Sequence, residues 1–451
     1  MKMKNEQENS RREFIKKASL ATGVIGLSAM GVNAKSYSRI IGANDRVQVG
    51  IIGFSNRFKS SLLPSFMNHA KELNFEFVAV SDIWNRRRDE AEAFIKEKTG
   101  TTIKKYRNND ELHAAKGIDA VIISTADFQH ALMAAEAVRN GKDVYVEKPM
   151  AETLEDAKIL LKAVQETGKI FQVGSQRRSA PNYIAANEYI RSGKFGDINM
   201  VEMTWNVNQP GRWRLPKLVS EIRQQDTDWD RFLMNRPKVA WDPRKYLEFR
   251  LFWPYSSGIW GQWMAHQIDT VHWFSGLKHP RSVAANGGIY TWNDGRQNPD
   301  TVTAVMDYGP ANDMSKGFQV QYSSRFTNSA GGIKELYYSN GGMLNLDTNQ
   351  VTSEGGLTER SAAEMGMKAN LLTPFTLPNA ARMETAANTG GDPMTSLHMR
   401  NWMECVLSRK TPNASIEAGY NHSVANIMAR TAMETGKKVT FDDAKQEVVA
   451  G

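Results

Sequence analysis

The sequence predicts an α/β protein: a Rossmann-like, doubly wound parallel sheet followed by an α+β domain with a largely antiparallel, open-faced sheet. Three observations carry this. Up to about residue 178, short β-branched apolar runs alternate with longer helical stretches, the pattern of strands buried on both faces by crossover helices. The helical stretches end in glycine, which closes helices in a left-handed conformation. Beyond Tyr183 the apolar runs succeed one another directly, joined by polar Gly- and Asn-rich turns, as antiparallel strands are.

Taken in order, residues 1–34 read as an address. "SRREFIKKASLATGVIGLSAMGVNA" runs from a charged start through an apolar stretch at 18–30 to small residues ending at Ala34, the layout of a removable signal peptide. The pair Arg11-Arg12, followed by Phe14, Ile15 and Lys16, resembles a twin-arginine export signal. A periplasmic or exported protein without a stable membrane anchor is therefore expected. Such a route carries folded chains, so a cofactor could be bound before export.

Strands are expected at "RVQVGIIG" (46–53), "FEFVAVSDI" (75–83), "DAVIIST" (119–125), "DVYVEKP" (143–149) and "IFQVGSQ" (170–176). "RDEAEAFIKEKTG", "ALMAAEAVRNG" and "TLEDAKILLKAVQETG" supply the helices between them. This places a dinucleotide-binding domain at 40–178. A substrate and oligomerisation domain follows at 179–395, with strands from "INMVEMTWNVNQ" to "QVTSEGG". Its open sheet offers a surface for homo-oligomer formation. Residues 353–394 are turn-rich and carry no assignable period. A helical segment at 396–451 packs back on the core.

Composition excludes several classes. The single cysteine, Cys405, rules out an internal disulfide framework and any multi-cysteine metal site. The formal charge of +8 falls to +5 without residues 1–34, and no arginine-rich face or tail is present, so nucleic acid is not expected as a partner.

The first strand ends at Gly53, where a G-x-G-x-x-G phosphate turn should begin, but Ser55 and Phe58 occupy the places of the other glycines. Ser55, Asn56 and Arg57 are then the groups expected at the pyrophosphate, by side chain where glycines act by backbone. Phe58 should push the helix off the strand or delay its start. Asp82 closes the second strand, placed to accept both ribose hydroxyls of an adenosine, which favours NAD over NADP. Arg86, Arg87 and Arg88 leave a 2′-phosphate as the alternative.

"VEKPMAETLEDAKIL" (146–160) and "STADFQHA" (124–131) put a lysine and polar groups on the carboxyl edge of the sheet, where ligands bind in open α/β folds. With "VGSQRRS" (173–179), "GIWGQWMAHQIDTVHWFSG" (258–276) and "IEAGYNHSVANIMARTAMETGKKVTFD", the chain resembles the Gfo/Idh/MocA family of oxidoreductases. The resemblance implies that Lys148 of the E-K-P motif contacts the nicotinamide ribose and the reacting substrate hydroxyl. It lays Thr125 and His130 along the cofactor, with Glu147 and Gln176 at its nicotinamide end.

The family's usual D-x-x-x-H reads here as Gln262 and His266. An amide cannot take a proton near neutral pH. Acid/base work then falls on His266 with Lys148, and Gln262 binds substrate. Asp269 could orient the His266 ring, or cap or salt-bridge instead. His266 and His272 lie about 240° apart around a helix, so no metal site is expected. Nine of the eleven tryptophans fall between Trp205 and Trp292. Trp213 beside Arg212 and Arg214, or Trp260 and Trp263 beside His266, are candidate platforms for a sugar ring, with Trp213 and Arg214 put forward for the substrate.

These features imply an exported NAD-dependent oxidoreductase acting on a sugar or glycoside carbinol. Export favours a tightly bound NAD, which leaves open an NAD-dependent glycosidase working by transient oxidation, elimination and hydration. A non-catalytic carbohydrate-binding protein on the same fold is the reading from a different class.

Overall fold

The computed structural model describes residues 46–378 and 393–451; the twin-arginine leader and residues 379–392 lie outside the described residues. The first sheet contains β1 (Val47–Ile52), β2 (Phe75–Ser81), β3 (Lys104–Tyr106), β4 (Ala120–Ile123), β5 (Asp143–Val146) and β6 (Phe171–Val173). Its order is β3-β2-β1-β4-β5-β6, and every pair is parallel. Because β1 lies between β2 and β4, the strand order reverses there and opens a crevice at the carboxyl edge. β4 and β5 are buried throughout, as the apolar runs require. β3 was not expected: Lys104 and Lys105 are exposed, and charge of this kind suits a short edge strand.

The second sheet is formed by β7 (Met200–Asn206), β8 (Ser282–Gly288), β9 (Thr301–Tyr308), β10 (Phe318–Arg325), β11 (Ile333–Ser339), β12 (Gly342–Asn345), β13 (Gln350–Thr352), β14 (Phe375–Thr376), β15 (Val439–Asp442) and β16 (Glu447–Ala450). Its order is β14-β13-β12-β11-β7-β10-β9-β8-β15-β16. Only the β7–β10 pair is parallel. In β9, Val302, Ala304, Met306 and Tyr308 are buried while Thr303 and Val305 on the other face are exposed, the alternation of a sheet covered on one side.

The chain does not end as a purely helical segment. Helices Pro393–Ser408 and Ile416–Thr435 are followed by the β15–β16 hairpin, which pairs Val439 with Val283 and extends the second sheet. Helix Pro393–Ser408 belongs with the first domain: Trp402 lies 6.2 Å from Phe75, and Arg400 grips Glu72 through two bonds. Cys405 is buried in this helix. Among the described residues no helix is long and apolar enough to cross a membrane.

Candidate active site

The crevice at the carboxyl edge opens into a cavity of about 460 Å³ bounded by both domains, within the range of small-molecule sites. At its first wall the chain leaves β1 through Gly53 at φ +84; a Cβ there would come within 2.7 Å of Thr125 Cγ2, so only glycine fits. Ser55 caps the next helix, its Oγ accepting from the Phe58 N–H at 3.2 Å and donating to Ser124 Oγ at 3.2 Å. Its hydroxyl is therefore engaged within the fold at the place where the sequence expects a phosphate contact. Phe58 neither fills the phosphate turn nor delays the helix. The helix starts at Asn56 and widens into a π turn at Phe58–Leu62, and Phe58 is buried against Phe54 and Phe77.

Arg57 lines the cavity and is held by Glu147 Oε1 at 3.0 Å and Ser61 Oγ at 2.8 Å. The Asp82 carboxylate accepts from the Phe54 N–H and the Trp84 N–H, both at 2.9 Å, which locks the end of β2 to the turn after β1. Burial pushes its pKa up, against the pull of those amides. Of the three arginines that follow, Arg87 alone faces the cavity, and Glu90 binds it at 2.7 Å. Arg86 pairs with Glu90 and Glu221, and Arg88 donates to the Asp82 carbonyl.

Farther along the same cavity, Thr125 Oγ1, His130 Nε2 and Gln176 Nε2 are buried without a hydrogen-bond partner among the described residues. Buried polar atoms are nearly always hydrogen-bonded, so three such atoms facing one cavity mark a polar ligand. With Gly53 and Asp82 they fit a dinucleotide. His130 opens helix His130–Arg139, and its Nδ1 is fixed by the Pro149 carbonyl at 2.8 Å.

At the inner end Lys148 Nζ donates to the Gln262 carbonyl at 2.7 Å and to Gln262 Oε1 at 3.1 Å. Gln262 Nε2 in turn donates to Asp127 Oδ2 at 2.6 Å, and that oxygen also accepts from Ser256 Oγ at 2.6 Å. A carboxylate only accepts. Asp127 thus fixes the amide so that its oxygen faces the lysine. Burial lowers the Lys148 pKa from 10.5 to about 7, with Glu147 and Asp127 opposing the shift. His266 lines the same wall, its ring stacked 5.9 Å from Trp205 and its Nδ1 without a partner among the described residues. Burial, then Lys148 and Arg177, push its pKa well below the ordinary value.

Asp269 does not orient His266. Arg178 holds it through two bonds of 2.8 and 3.0 Å. His272 bonds Tyr308 on the sheet side of the helix, away from the cavity. Among the described residues no group of three or more His, Cys, Asp or Glu could hold a metal. Trp213 lies in the cavity wall, 6.0 Å from Trp263. Arg214 also lines the cavity, but Glu248 at 3.0 Å and Asp294 at 3.2 Å neutralise it.

The family described as the GFO/IDH/MocA oxidoreductase family, NAD-binding Rossmann fold, matches residues 47–175, and its C-terminal alpha/beta domain matches residues 221–441. The chain belongs to this family. Its first domain is accordingly an NAD-binding Rossmann domain. The scyllo-inositol 2-dehydrogenase (NAD(+)) of Bacillus subtilis is 46% identical over 80 residues, 18% of this chain and 23% of that protein. The inositol 2-dehydrogenase of Rubrobacter xylanophilus is 30% identical over 161 residues, 34% of this chain and 42% of that protein. The chain thus matches less than half the length of these two relatives.

Among solved structures, a levoglucosan dehydrogenase in complex with NADH and levoglucosan superimposes with a TM-score of 0.62 at 16% identity, covering 88% of this chain and 99% of the other. That likeness shows the shared fold.

One residue of the site was not singled out in the sequence. Asp127 sits inside the quoted "STADFQHA", but its partner Gln262 is 135 positions away. The sequence names both arginines beside Trp213 and puts Arg214 forward for the substrate, yet of the two it is Arg212 that lacks a carboxylate partner among the described residues.

Proposed function

We propose that the protein is an exported NAD-dependent oxidoreductase that transfers hydride between a sugar or glycoside ring carbinol and nicotinamide. One observation carries this reading: two bases uncharged or half-charged near neutral pH, Lys148 and His266, face one cavity whose far wall is a dinucleotide turn. The inositol and levoglucosan dehydrogenases among its relatives support a polyol or sugar substrate. Gly53, the amides of residues 55–57 and Asp82 would hold the dinucleotide, with Thr125, His130, Glu147, Lys148 and Gln176 along its nicotinamide half. Asp82 favours NAD, because Arg87 is already engaged by Glu90.

Bound NAD supplies the two-electron acceptor. The chain supplies position and proton transfer. As a free amine, Lys148 spends its two N–H groups on the two Gln262 oxygens, which leaves its lone pair to take the proton of the reacting hydroxyl. His266, neutral in this setting, is the second acceptor. Trp213 and Trp263 flank the ring and exclude water.

The paired arginines of the leader favour a second reading, in which tightly bound NAD is restored within each turnover and the net reaction is glycoside cleavage. The open face of the second sheet is where a second copy would associate.

The deciding experiment denatures purified protein and measures released dinucleotide, then follows NADH formation and aglycone release from nitrophenyl glycosides. NADH formed from sugars supports the dehydrogenase. Stoichiometric NAD with aglycone release and no NADH supports the glycosidase. No released dinucleotide and no binding of added NAD removes both and leaves a binding protein.

A further inference from the structure

Of the guanidinium groups that line the cavity, Arg212 alone has no carboxylate partner among the described residues. Arg250 lies 3.3 Å from Asp127 Oδ1. Arg212 bonds only the neutral Gln209 Oε1, at 2.9 Å, and pairs with no carboxylate among the described residues. The Nε atoms of both arginines are buried without a partner. Arg212 lies 5.8 Å from the ring centroids of Trp213 and of Trp263.

Those ring faces offset part of the cost of burying a cation, but leaving a charge buried without an opposite charge costs several kcal/mol. Burial and the nearby Arg250 hold the Arg212 pKa down at about 10. Trp213 itself is held at φ +65, a region that bulky residues rarely adopt and that tends to be retained at ligand sites. The wall is therefore strained and aromatic, and it carries a guanidinium that no carboxylate among the described residues balances.

We propose that the cavity is built for a carboxylated sugar, whose carboxylate docks on Arg212 beside Arg250 while Trp213 and Trp263 flank the ring. This rests on the oxidoreductase reading and names its substrate class. The planar fork of a guanidinium matches a carboxylate through two parallel bonds. One guanidinium without a carboxylate is matched by one carboxylate. A phosphate dianion would bring a second charge for which no further guanidinium is open, since Arg57, Arg214 and Arg250 are already paired.

The test is calorimetric titration of the purified protein, with and without NAD, using methyl hexuronides, the matched neutral methyl hexosides and the hexose 6-phosphates in gluco, galacto and manno configurations. Wild type, Arg212→Met and Arg212→Lys are compared. At least one uronide is expected to bind roughly 10- to 100-fold more tightly than its neutral partner, the margin of a hydrogen bond to a charged group. Arg212→Met removes that margin and Arg212→Lys restores part of it. Should Arg212→Met fail to fold, wild type and Arg212→Lys still decide the matter.

Equal affinity for uronide and neutral sugar, tighter binding of the phosphate, or a margin that survives in Arg212→Met overturns the carboxylate assignment. Turnover of neutral sugars with NAD would leave the oxidoreductase reading standing in each of those cases. Binding of NAD with no sugar bound overturns both.

Discussion

The helical stretch 260–275 has two rows of buried charge beside it that obey opposite rules. Behind it Arg178 meets Asp269 through two bonds, and Arg177 meets Glu335, whose other oxygen accepts from Thr270. In front of it, among the described residues, Lys148 meets only the two oxygens of Gln262, Arg212 bonds only an amide, and His266 Nδ1 bonds nothing. The two rows differ in what completes them. The rear row is finished by the chain itself and holds the helix in place, and the front row is finished only by a ligand. An aspartate three residues from His266 thus belongs to the architecture, while an aspartate from the other domain, Asp127, reaches Lys148 through the Gln262 amide.

The sharpest way to break this contrast is to remove the cation of the front row. Lys148→Met is expected to lower turnover by about 10²- to 10⁴-fold, the usual worth of a positioned acid or base. Its melting temperature should stay the same or rise, because a buried amine with no carboxylate partner is replaced by an apolar chain of similar length. Activity near wild type would take Lys148 out of the mechanism. A fall of many degrees in melting temperature would place it with the rear row.

The rear row should respond the other way. Asp269→Asn leaves Arg178 buried without an opposite charge, and the cost expected from broken buried pairs is about 3 kcal/mol, measured by denaturant unfolding. Turnover per folded molecule should change little, since Asp269 faces Arg178 and not the cavity. If activity fell far more than the folded fraction, Asp269 would be acting through His266 after all.

Much of this arrangement was legible in the sequence. The alternation of apolar runs gave the parallel sheet and its crevice, and the E-K-P lysine and His266 both reach the cavity. Three features were not legible. β3 has no apolar run, because an exposed edge strand needs none. The π turn that accommodates Phe58 follows from packing against Phe54 and Phe77, which a glycine count does not capture. Arg212 and Arg214 stand two positions apart with the same chemistry, and only the location of Glu248 and Asp294 decides which of them is neutralised. Gln262 first read as the loss of a catalytic carboxylate. In the fold a carboxylate is displaced to the far side of that amide: Asp127 accepts from Gln262 Nε2, and Gln262 Oε1 accepts from Lys148.

That displacement gives the finest test of the front row. The Asp127 anion favours the ammonium form of Lys148, and Arg250 and burial oppose it. Lys148 in wild type becomes a free amine as pH rises through about 7, so kcat/KM should climb across that interval. Asp127→Asn removes the one influence that this aspartate contributes and leaves Arg250 without its partner. Both changes disfavour the charged amine, so the rising limb should move to lower pH, by roughly one unit or less for a charge acting through an intervening amide. Measuring the limb, and not the absolute rate, separates this electrostatic effect from any loss of folded protein. A limb that moved to higher pH would mean that Asp127 had been holding Lys148 by geometry alone. An unmoved limb would assign the titration to His266.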